Sequence, residues 1–571
     1  MASNQELVKI LLEMAALLDM QDVAFKPRAY EHAAYSIQVL DQEVADMYDK
    51  GGLKALEDIP GVGQGIAERI EEYIKTGRIK DYEKLKKKFP VDIEGLTAIE
   101  GVGSKMVKKL YQELKIKDLA SLEEAAKEGK LRKIEGFGEK SEQKILKGIG
   151  FLKQSHGRFL LGEILPTVRE MTDKLRKLPE VKEAEPAGSV RRMQETIGDL
   201  DILVTSSEPE KVMKFFVKMP EVEDVISRGE TKTSVRLKIG MDADLRVVDP
   251  DSFGAALQYF TGDKYHNIAV REIAIKKGYK LNEYGLFKGK KLIACKTEEE
   301  IYEKLGMELM PPEVRTNNGE VEAAIKGELP EFIGYGDLLG DLQVQTDWTD
   351  GENSIMEMAE AAKKEGLEYI VITDHTKSLA MAHGSDEKRL EKQMAEIDKI
   401  QKKISGIKIL KGAEVNINKD GTLDIDDKTL AKLDVVGVAI HSGFNMTEEE
   451  MTKRVIRAME NPHVDILFHP TGRLIQKREA IKLDIDKVIK TAKRTKTVLE
   501  VDAYPTRLDL KDEYIRKAVD AGVKLSIDSD AHHVSHFKLL EYGIAQARRG
   551  WAEKKDVINT RKWQDMLKLL K

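Results

Sequence analysis

Six apolar runs between residues 369 and 532 each end on a histidine or a carboxylate, with charged, helix-forming segments between them. They close on His375, Glu414, His441, His469, Asp502 and the pair Asp530 and His532. Strands that alternate with helices in this way build a parallel β/α barrel, and the polar residues at their ends gather at one mouth. Imidazoles and carboxylates converging from several strands are the donor set of a multi-metal hydrolytic centre. One such histidine alone would be an ordinary core residue; the repetition marks a site. His383, His463, His533 and His536 fall outside the pattern and are expected at the surface or behind the site.

At 571 residues the chain exceeds a single core, and three or four domains are expected. Hydrophobic residues make up 41%, and no run approaches the ~18 apolar residues of a membrane span, so no membrane association is expected. The first residues lack a basic segment followed by an apolar one, and the single cysteine, Cys295, excludes an internal disulfide. Both features fit a cytoplasmic protein. Charged residues reach 34%, mostly Lys and Glu, which is compatible with a heat-adapted source. A net charge of −6 gives no overall basic character, so any contact with DNA has to be local.

The first 50 residues read as amphipathic helices, with Leu7, Ile10, Leu11, Met14 and Leu17 on one face. A short pattern then recurs three times, at 59–63, 99–103 and 134–138: an apolar residue, then Gly-x-Gly, then a helix rich in Lys or Glu. This is the helix-hairpin-helix pattern. Its tight turn lets amide N–H groups at a helix start approach a phosphate without reading bases. Gly61, Gly63, Gly101 and Gly103 are the candidate DNA-contacting glycines. The third copy is the loosest and would serve equally well as a packing turn.

In the middle of the chain, Gly188, Ser189, Arg191 and Arg192 are followed closely by Gly198, Asp199, Leu200 and Asp201. Side chains alternate along a strand, so Asp199 and Asp201 share a face. Paired carboxylates on a rigid strand suit a two-metal phosphoryl-transfer site, whereas GDxD alone would equally be an acidic turn. The Gly-Ser turn and Arg192 offer amides, a hydroxyl and a guanidinium to a triphosphate. A second strand at 241–248 brings Asp244 as third ligand and proton acceptor, with Asp242 on the same face as its competitor. Tyr259, Phe260 and Gly262 could line a sugar and base.

Residues 1–315 resemble a family X DNA polymerase of the polymerase-beta type. The resemblance rests on the first two Gly-x-Gly turns, on 188–192, 198–201, 243–248, 259–262 and 281–285, and on the spacing of Asn267 and Arg271. It implies that Asp199, Asp201 and Asp244 are the catalytic, metal-holding carboxylates. Gly188, Ser189 and Arg192 would form the triphosphate cradle, and Tyr259, Phe260 and Gly262 the sugar-side lining. Asn267 would contact the incoming base and Arg271 the template strand. One departure lies at the first hairpin, where Arg69 stands in place of the family's Schiff-base lysine and Gly65 replaces a second lysine. A guanidinium forms no Schiff base, so lyase activity of the usual kind is not expected unless Lys54, Lys75 or Lys80 lies close.

The remainder resembles the PHP (polymerase and histidinol phosphatase) domain carried by bacterial and archaeal family X polymerases. Asp350, His375, Glu414, His441, His469, Asp530 and His532 match positions of that family's three-metal ligand set. Its leading His-x-His is here Gln343 and Gln345, on one strand face. Amide oxygens bind transition metals more weakly than imidazole, so a partial site for about two ions is expected.

The expected architecture is multidomain α+β and α/β. A helix-hairpin-helix region (1–85, fingers 86–150) precedes a nucleotidyltransferase palm (151–250) and thumb (251–315). A linker (316–336) then leads to a distorted β/α barrel (337–571). The expected function is template-directed filling of short DNA gaps in base excision repair, by a monomer acting on gapped or nicked DNA and dNTPs. Mg²⁺ or Mn²⁺ is expected at the polymerase site, and Mn²⁺ or Zn²⁺ at the PHP site. There, weak 3′–5′ exonuclease or abasic-site endonuclease is set against a decayed barrel serving as a structural or DNA-binding scaffold. A nucleotidyltransferase acting on a small molecule or RNA end is the rival that the hairpins argue against.

Overall fold

The computed structural model describes residues 4–38, 40, 42–97, 99, 102–134, 137–154 and 157–571. The backbone divides into two compact units, Met1–His156 with Gln476–Glu479, and Gly157–Ile475 with Ala480–Lys571.

The first unit is built from helices. Its opening helix, Asn4–Asp19, buries Leu7, Leu11, Met14 and Leu17, with Ile10 half-buried at the edge of that face. Leu7, Leu11 and Met14 pack with Ile59, Val62 and Ile70 in one core. Leu17 and Met20 belong to a second core with Ile99, Val102, Leu110, Ile134 and Phe137. The apolar residues of each Gly-x-Gly turn are therefore its anchors. In each turn the second anchor's N–H donates to the carbonyl of the first, Val62 to Ile59 at 3.0 Å, Val102 to Ile99 at 3.0 Å and Phe137 to Ile134 at 2.9 Å.

The second unit begins with a five-stranded sheet in the order Val181–Pro186, Asp199–Ser206, Asp242–Val248, Lys232–Leu237, Val222–Arg228. Only the central pair, Asp199–Ser206 with Asp242–Val248, runs parallel. Leu200, Ile202, Val204, Ala243 and Leu245 face a core filled by the helices Leu161–Arg176 and Pro209–Phe216. Strand alternation turns Asp199, Asp201 and Asp244 to the opposite face. Helices Phe253–Thr261, Lys264–Lys276, Glu298–Lys304 and Glu320–Lys326 follow, with a three-stranded antiparallel sheet between the second and third. Val270, Leu281, Tyr302, Leu305 and Val321 share one core there.

The C-terminal region is a barrel of seven parallel strands in chain order: Gly340–Val344, Tyr369–Ile372, Lys408–Asn416, Val435–Ala439, Ile466–Leu467, Val498–Asp502 and Leu525–Asp528. The first strand also bridges the segment just after the last, Val344 with Ala531, so the ring is nearly closed. All seven are buried almost throughout, as strands wrapped by helices must be. The barrel also completes the core of the preceding sheet, because Leu508 and Tyr542 lie among that sheet's buried residues. Beside them Glu195 binds Arg473 at 2.5 Å and accepts from Gln546 at 2.9 Å.

Candidate active sites

The register of the two parallel strands sets Asp199 beside Asp242 and Asp201 beside Asp244. The next strand gives Asp242 and Asp244, the two expected competitors, different partners. Arg236, opposite Asp242, binds its carboxylate. Ser234, opposite Asp244, donates to Oδ1 at 2.6 Å, and Lys232 lies 2.7 Å from Oδ2. Asp199 and Asp201 form no ion pair among the described residues. Burial, with the charges of Asp199 and Asp244 added, raises the Asp201 carboxyl to about 6. Lys232 and Arg246 offset only part of this crowding, and carboxylates gathered in this way suit a divalent cation.

The Gly-Ser turn lies directly against this group. Gly188 adopts φ 57°, and a Cβ there would come 3.0 Å from Asp201 Oδ2. Only glycine combines that backbone with so close an approach. The Ala187 N–H donates to the Asp201 carbonyl at 2.8 Å. Ser189 is half-exposed at the start of a short helix, Gly188–Arg191. Arg192 reaches the Thr261 carbonyl at 2.5 Å, and its Nε is buried without a partner.

Sequence reasoning missed the role of Arg191. It binds Glu298 through both oxygens, at 3.0 and 2.7 Å, and donates to the Thr261 hydroxyl at 2.6 Å. Arg315 binds Glu298 from the other side. Burial alone would raise Glu298, but the two guanidinium groups pull it down to about 2. Two consecutive arginines thus do different work, one pinning the turn and one facing the site, and their adjacency in sequence gives no sign of it.

Tyr259 and Phe260 meet edge to face with ring centres 5.1 Å apart. Arg246 lies over Phe260 at 4.5 Å and Arg271 over Tyr259 at 5.9 Å. Gly262 admits Asn267, whose Oδ1 would lie 2.8 Å from a Cβ at that position. Asn267 itself is buried and donates to the carbonyls of Tyr259 (2.6 Å) and Gly262 (3.3 Å).

At the barrel mouth the structure brings all seven expected ligands together. His375 lies 3.5 Å from Asp350 and 3.4 Å from Glu414, and His532 lies 3.8 Å from Asp350. His441 and His469 each place Nε2 2.9 Å from Glu414 Oε1. Among these seven residues two groups are compact enough to hold an ion, Asp350–His375–His532 and His375–Glu414–His441. Their imidazoles are oriented from behind: His441 Nδ1 lies 2.7 Å from Asn416 Oδ1, and His532 Nδ1 lies 2.8 Å from the Asp530 carbonyl. Each contact leaves Nε2 for a ligand, as metal-binding imidazoles require. Buried atoms without a hydrogen-bond partner, among them His469 Nδ1 and Asp530 Oδ1, mark a donor set made for cations. His469 and Asp530 have φ of 27° and 49°, strained values that cluster at functional sites.

Gln343 and Gln345 turn their Nε2 atoms to Glu414 Oε2, at 3.1 and 2.8 Å, and both amide oxygens are buried without a partner. Burial would raise Glu414, but the surrounding imidazoles hold it well below the usual range. Two groups here were not foreseen. Arg507 lies 3.4 Å from Asp502 and 3.8 Å from Asp530, setting a fixed cation beside these carboxylates. Asp374 accepts from Thr346, Thr349 and Gln393, fixing the loop that leads to Asp350. Of the histidines outside the pattern, His383 is exposed, His463 is half-exposed and His533 is buried, while His536 Nδ1 accepts the His532 N–H at 3.2 Å.

In the first unit, Gly63 and Gly103 cap the helices Gln64–Thr76 and Ser104–Leu114, whose first turns carry no acidic residue. Gly61 has φ 77°, and Gly101 lies outside the described residues. The third hairpin differs, because Glu139 and Glu142 occupy the first turn of Glu139–Gln154 and Glu142 is bound to Arg132. Carboxylates there oppose a phosphate, which favours the packing role. Arg69 pairs with Asp81 at 2.7 Å.

Family models match along the chain: a helix-hairpin-helix domain at residues 2–79, a SAM-like helix-hairpin-helix tandem at 93–150, a DNA polymerase beta thumb at 256–316 and a PHP domain at 341–562. The chain is 38% identical over 573 residues to the DNA polymerase/3′-5′ exonuclease PolX of Bacillus subtilis (strain 168), covering 100% of this chain and 99% of that protein. It is also 34% identical over 191 residues to a protein of Thermoanaerobacter sp. (strain X514) named a probable phosphatase, covering 32% of this chain and 73% of that one. A similarly named protein of Acetivibrio thermocellus is 30% identical over 188 residues, covering 32% and 73%. Among the described residues no helix is long and apolar enough to cross a membrane.

Proposed function

The chain belongs to the PolX family of DNA polymerases with a C-terminal PHP domain, and from that premise we propose that it fills short gaps in DNA during base excision repair, copying a template from dNTPs. The observation that carries this is the strand register that sets Asp199, Asp201 and Asp244 on one face, with the Gly188 turn against Asp201. Those carboxylates would hold Mg²⁺ or Mn²⁺, which supply the charge that steadies the attacking and leaving oxygens. Lys232 and Ser234 fix the Asp244 carboxylate, which would take the proton of the primer hydroxyl. The amides of the Gly188–Ser189 turn and Arg192 would orient the triphosphate, and Tyr259, Phe260 and Gly262 the sugar. Arg271 would meet the template strand, and Gly61, Gly63, Gly101 and Gly103 the DNA backbone. The proposed division is 1–85 and 86–150 for the hairpin region and fingers, 151–250 palm, 251–315 thumb, 316–336 linker and 337–571 PHP domain. Primer extension on gapped DNA with Mg²⁺ tests the function. Addition that ignores the template, or reaction only at RNA ends, would overturn it.

For the barrel the proposal is weak 3′–5′ exonuclease or abasic-site cleavage with Mn²⁺ or Zn²⁺, held by Asp350, His375, Glu414, His441, His469, Asp530 and His532. A scaffold role is the second possibility, favoured by the amides turned onto Glu414 and by Leu508 and Tyr542 buried in the palm core. Degradation of a 3′ end by the unaltered chain, lost in Asp530→Ala or His532→Ala, supports the nuclease; no degradation by either supports the scaffold.

A further inference from the structure

Asn267, the proposed contact to the incoming base, ends a line of buried polar groups that the motifs around it do not announce. Its Oδ1 accepts from Gln258 Nε2 at 3.0 Å. Gln258 also stands next to the Tyr302 hydroxyl and interacts with it, and that hydroxyl lies 3.0 Å from His266 Nε2. His266 Nδ1 lies 2.8 Å from Glu320 Oε1, and Glu320 accepts the N–H groups of Asn317 and Asn318 at 2.7 Å each. Glu320, His266 and Tyr302 are 0% exposed and Gln258 is 1% exposed.

The chemistry allows only one sense along this line. Glu320 is held below the usual carboxylate range, since the hydrogen bonds it receives outweigh its burial, so it only accepts. His266 Nδ1 therefore carries the proton and Nε2 accepts the Tyr302 O–H. The Tyr302 oxygen then keeps its lone pairs for the Gln258 side, and the Gln258 amide donates to Asn267 Oδ1. With Oδ1 so committed, Asn267 points Nδ2 at the carbonyls of Tyr259 and Gly262, the two ends of the sugar-side turn.

We infer that the buried line Glu320–His266–Tyr302–Gln258 sets the amide of Asn267 in a single orientation, making His266 and Tyr302 positioning residues for the incoming nucleotide. Three observations separate this from ordinary packing. Glu320, His266 and Tyr302 are joined by hydrogen bonds, as are Gln258 and Asn267, and a buried polar group costs stability unless it is so matched. An apolar ring in place of His266 would fill the same core without that requirement. Finally, the line ends on the one side chain in the cluster proposed to touch a base, and on the backbone turn proposed to touch the sugar. It begins in the helix Glu320–Lys326, so this helix, although outside the expected thumb, contributes to nucleotide binding. The longer of the Asn267 bonds, 3.3 Å to Gly262, is the one an acceptor on a base can replace.

The inference rests on Asn267 contacting the base, and the test keeps the two apart. Single-nucleotide insertion into gapped DNA by the full chain is measured for Asn267→Ala, Tyr302→Phe, His266→Phe and the doubles with Asn267→Ala, with melting temperatures as the check on folding. Tyr302→Phe removes one oxygen and keeps the ring, so it decides the matter if His266→Phe does not fold. Losing one well-formed hydrogen bond should raise KM for the dNTP about fivefold with kcat nearly unchanged. That rise should vanish when Asn267 is already alanine. If Asn267→Ala raises KM while folded Tyr302→Phe and His266→Phe do not, or if their effects simply add to it, the positioning role is wrong and the base contact stands. If Asn267→Ala leaves KM unchanged, the base contact fails and the inference with it.

Discussion

The sheet site and the barrel site solve the problem of holding cations in opposite ways. At the sheet, three carboxylates come from two adjacent strands, and Asp199 is exposed while Asp201 and Asp244 are half-exposed. At the barrel, seven candidate ligands come from separate strand ends and loops, and Glu414, His469, Asp530 and His375 are buried. A site with three ligands has none to spare. The barrel site has two amides, Gln343 and Gln345, beside its candidate ligands, and both bind Glu414. Redundancy of structure therefore does not imply redundancy of chemistry, since an amide can replace an imidazole as a hydrogen-bond partner and be a poor substitute as a metal ligand.

The sharpest way to break this comparison is at the sheet. Asp199→Ala or Asp201→Ala should lower nucleotide addition on the order of a thousandfold or more, with gapped-DNA binding and any barrel nuclease largely intact. Near-normal extension by either variant would show that the site is not the one described. At the barrel, Gln343→His with Gln345→His should raise bound metal and increase 3′–5′ degradation by about tenfold or more, leaving polymerisation unchanged. Metal analysis of the purified chain reads this directly. Robust exonuclease in the unaltered chain would mean that the glutamines are tolerated after all.

Acidity distinguishes the two sites more gently. Asp201, raised to about 6, carries a proton below that pH and cannot ligate. The Mg²⁺ needed for half-maximal extension should therefore rise about tenfold between pH 7 and pH 5. In the metal-free fold the same shift favours the protonated form, so its contribution to stability is full below 3.8 and is lost as pH rises through about 6. Burial would lower His532, but Asp530 and Asp350 raise it above its usual value of 6.5. The barrel should thus release metal at a higher pH than the sheet site does. Metal content followed across this range would refute the contrast if both sites emptied together.

The smallest signal is expected at the first hairpin. Borohydride trapping on a 5′-deoxyribose-phosphate end should give little or no adduct, because Arg69 has no amine to offer and is paired with Asp81. Lys75 is held by Glu71 at 2.8 Å, while Lys54 and Lys80 are exposed. A strong adduct mapped to residues 54–80 would show a lysine in the role and add a third chemistry to the two compared.

Much of the molecule follows from local pattern. Alternation along 199–201 and 242–244 is enough to place the aspartates on one face, and six apolar runs ending in a histidine or a carboxylate are enough to point to a barrel. The anchors of the hairpins are legible because an apolar residue next to Gly-x-Gly has to be buried for the turn to hold. What pattern cannot supply is pairing across the fold. Asp242 and Asp244 are equivalent in sequence, and only the strand carrying Arg236 and Ser234 tells them apart. Arg191 and Arg192 are neighbours, but Glu298 and Thr261, far along the chain, assign them different partners. Glu320 reaches towards Asn267 through a line of buried polar groups whose members are scattered between 258 and 320. Sequence determines which groups each element presents, since that depends on its own period. The tertiary structure decides which of them lose water together, and a buried polar group takes its role from the partner that replaces that water.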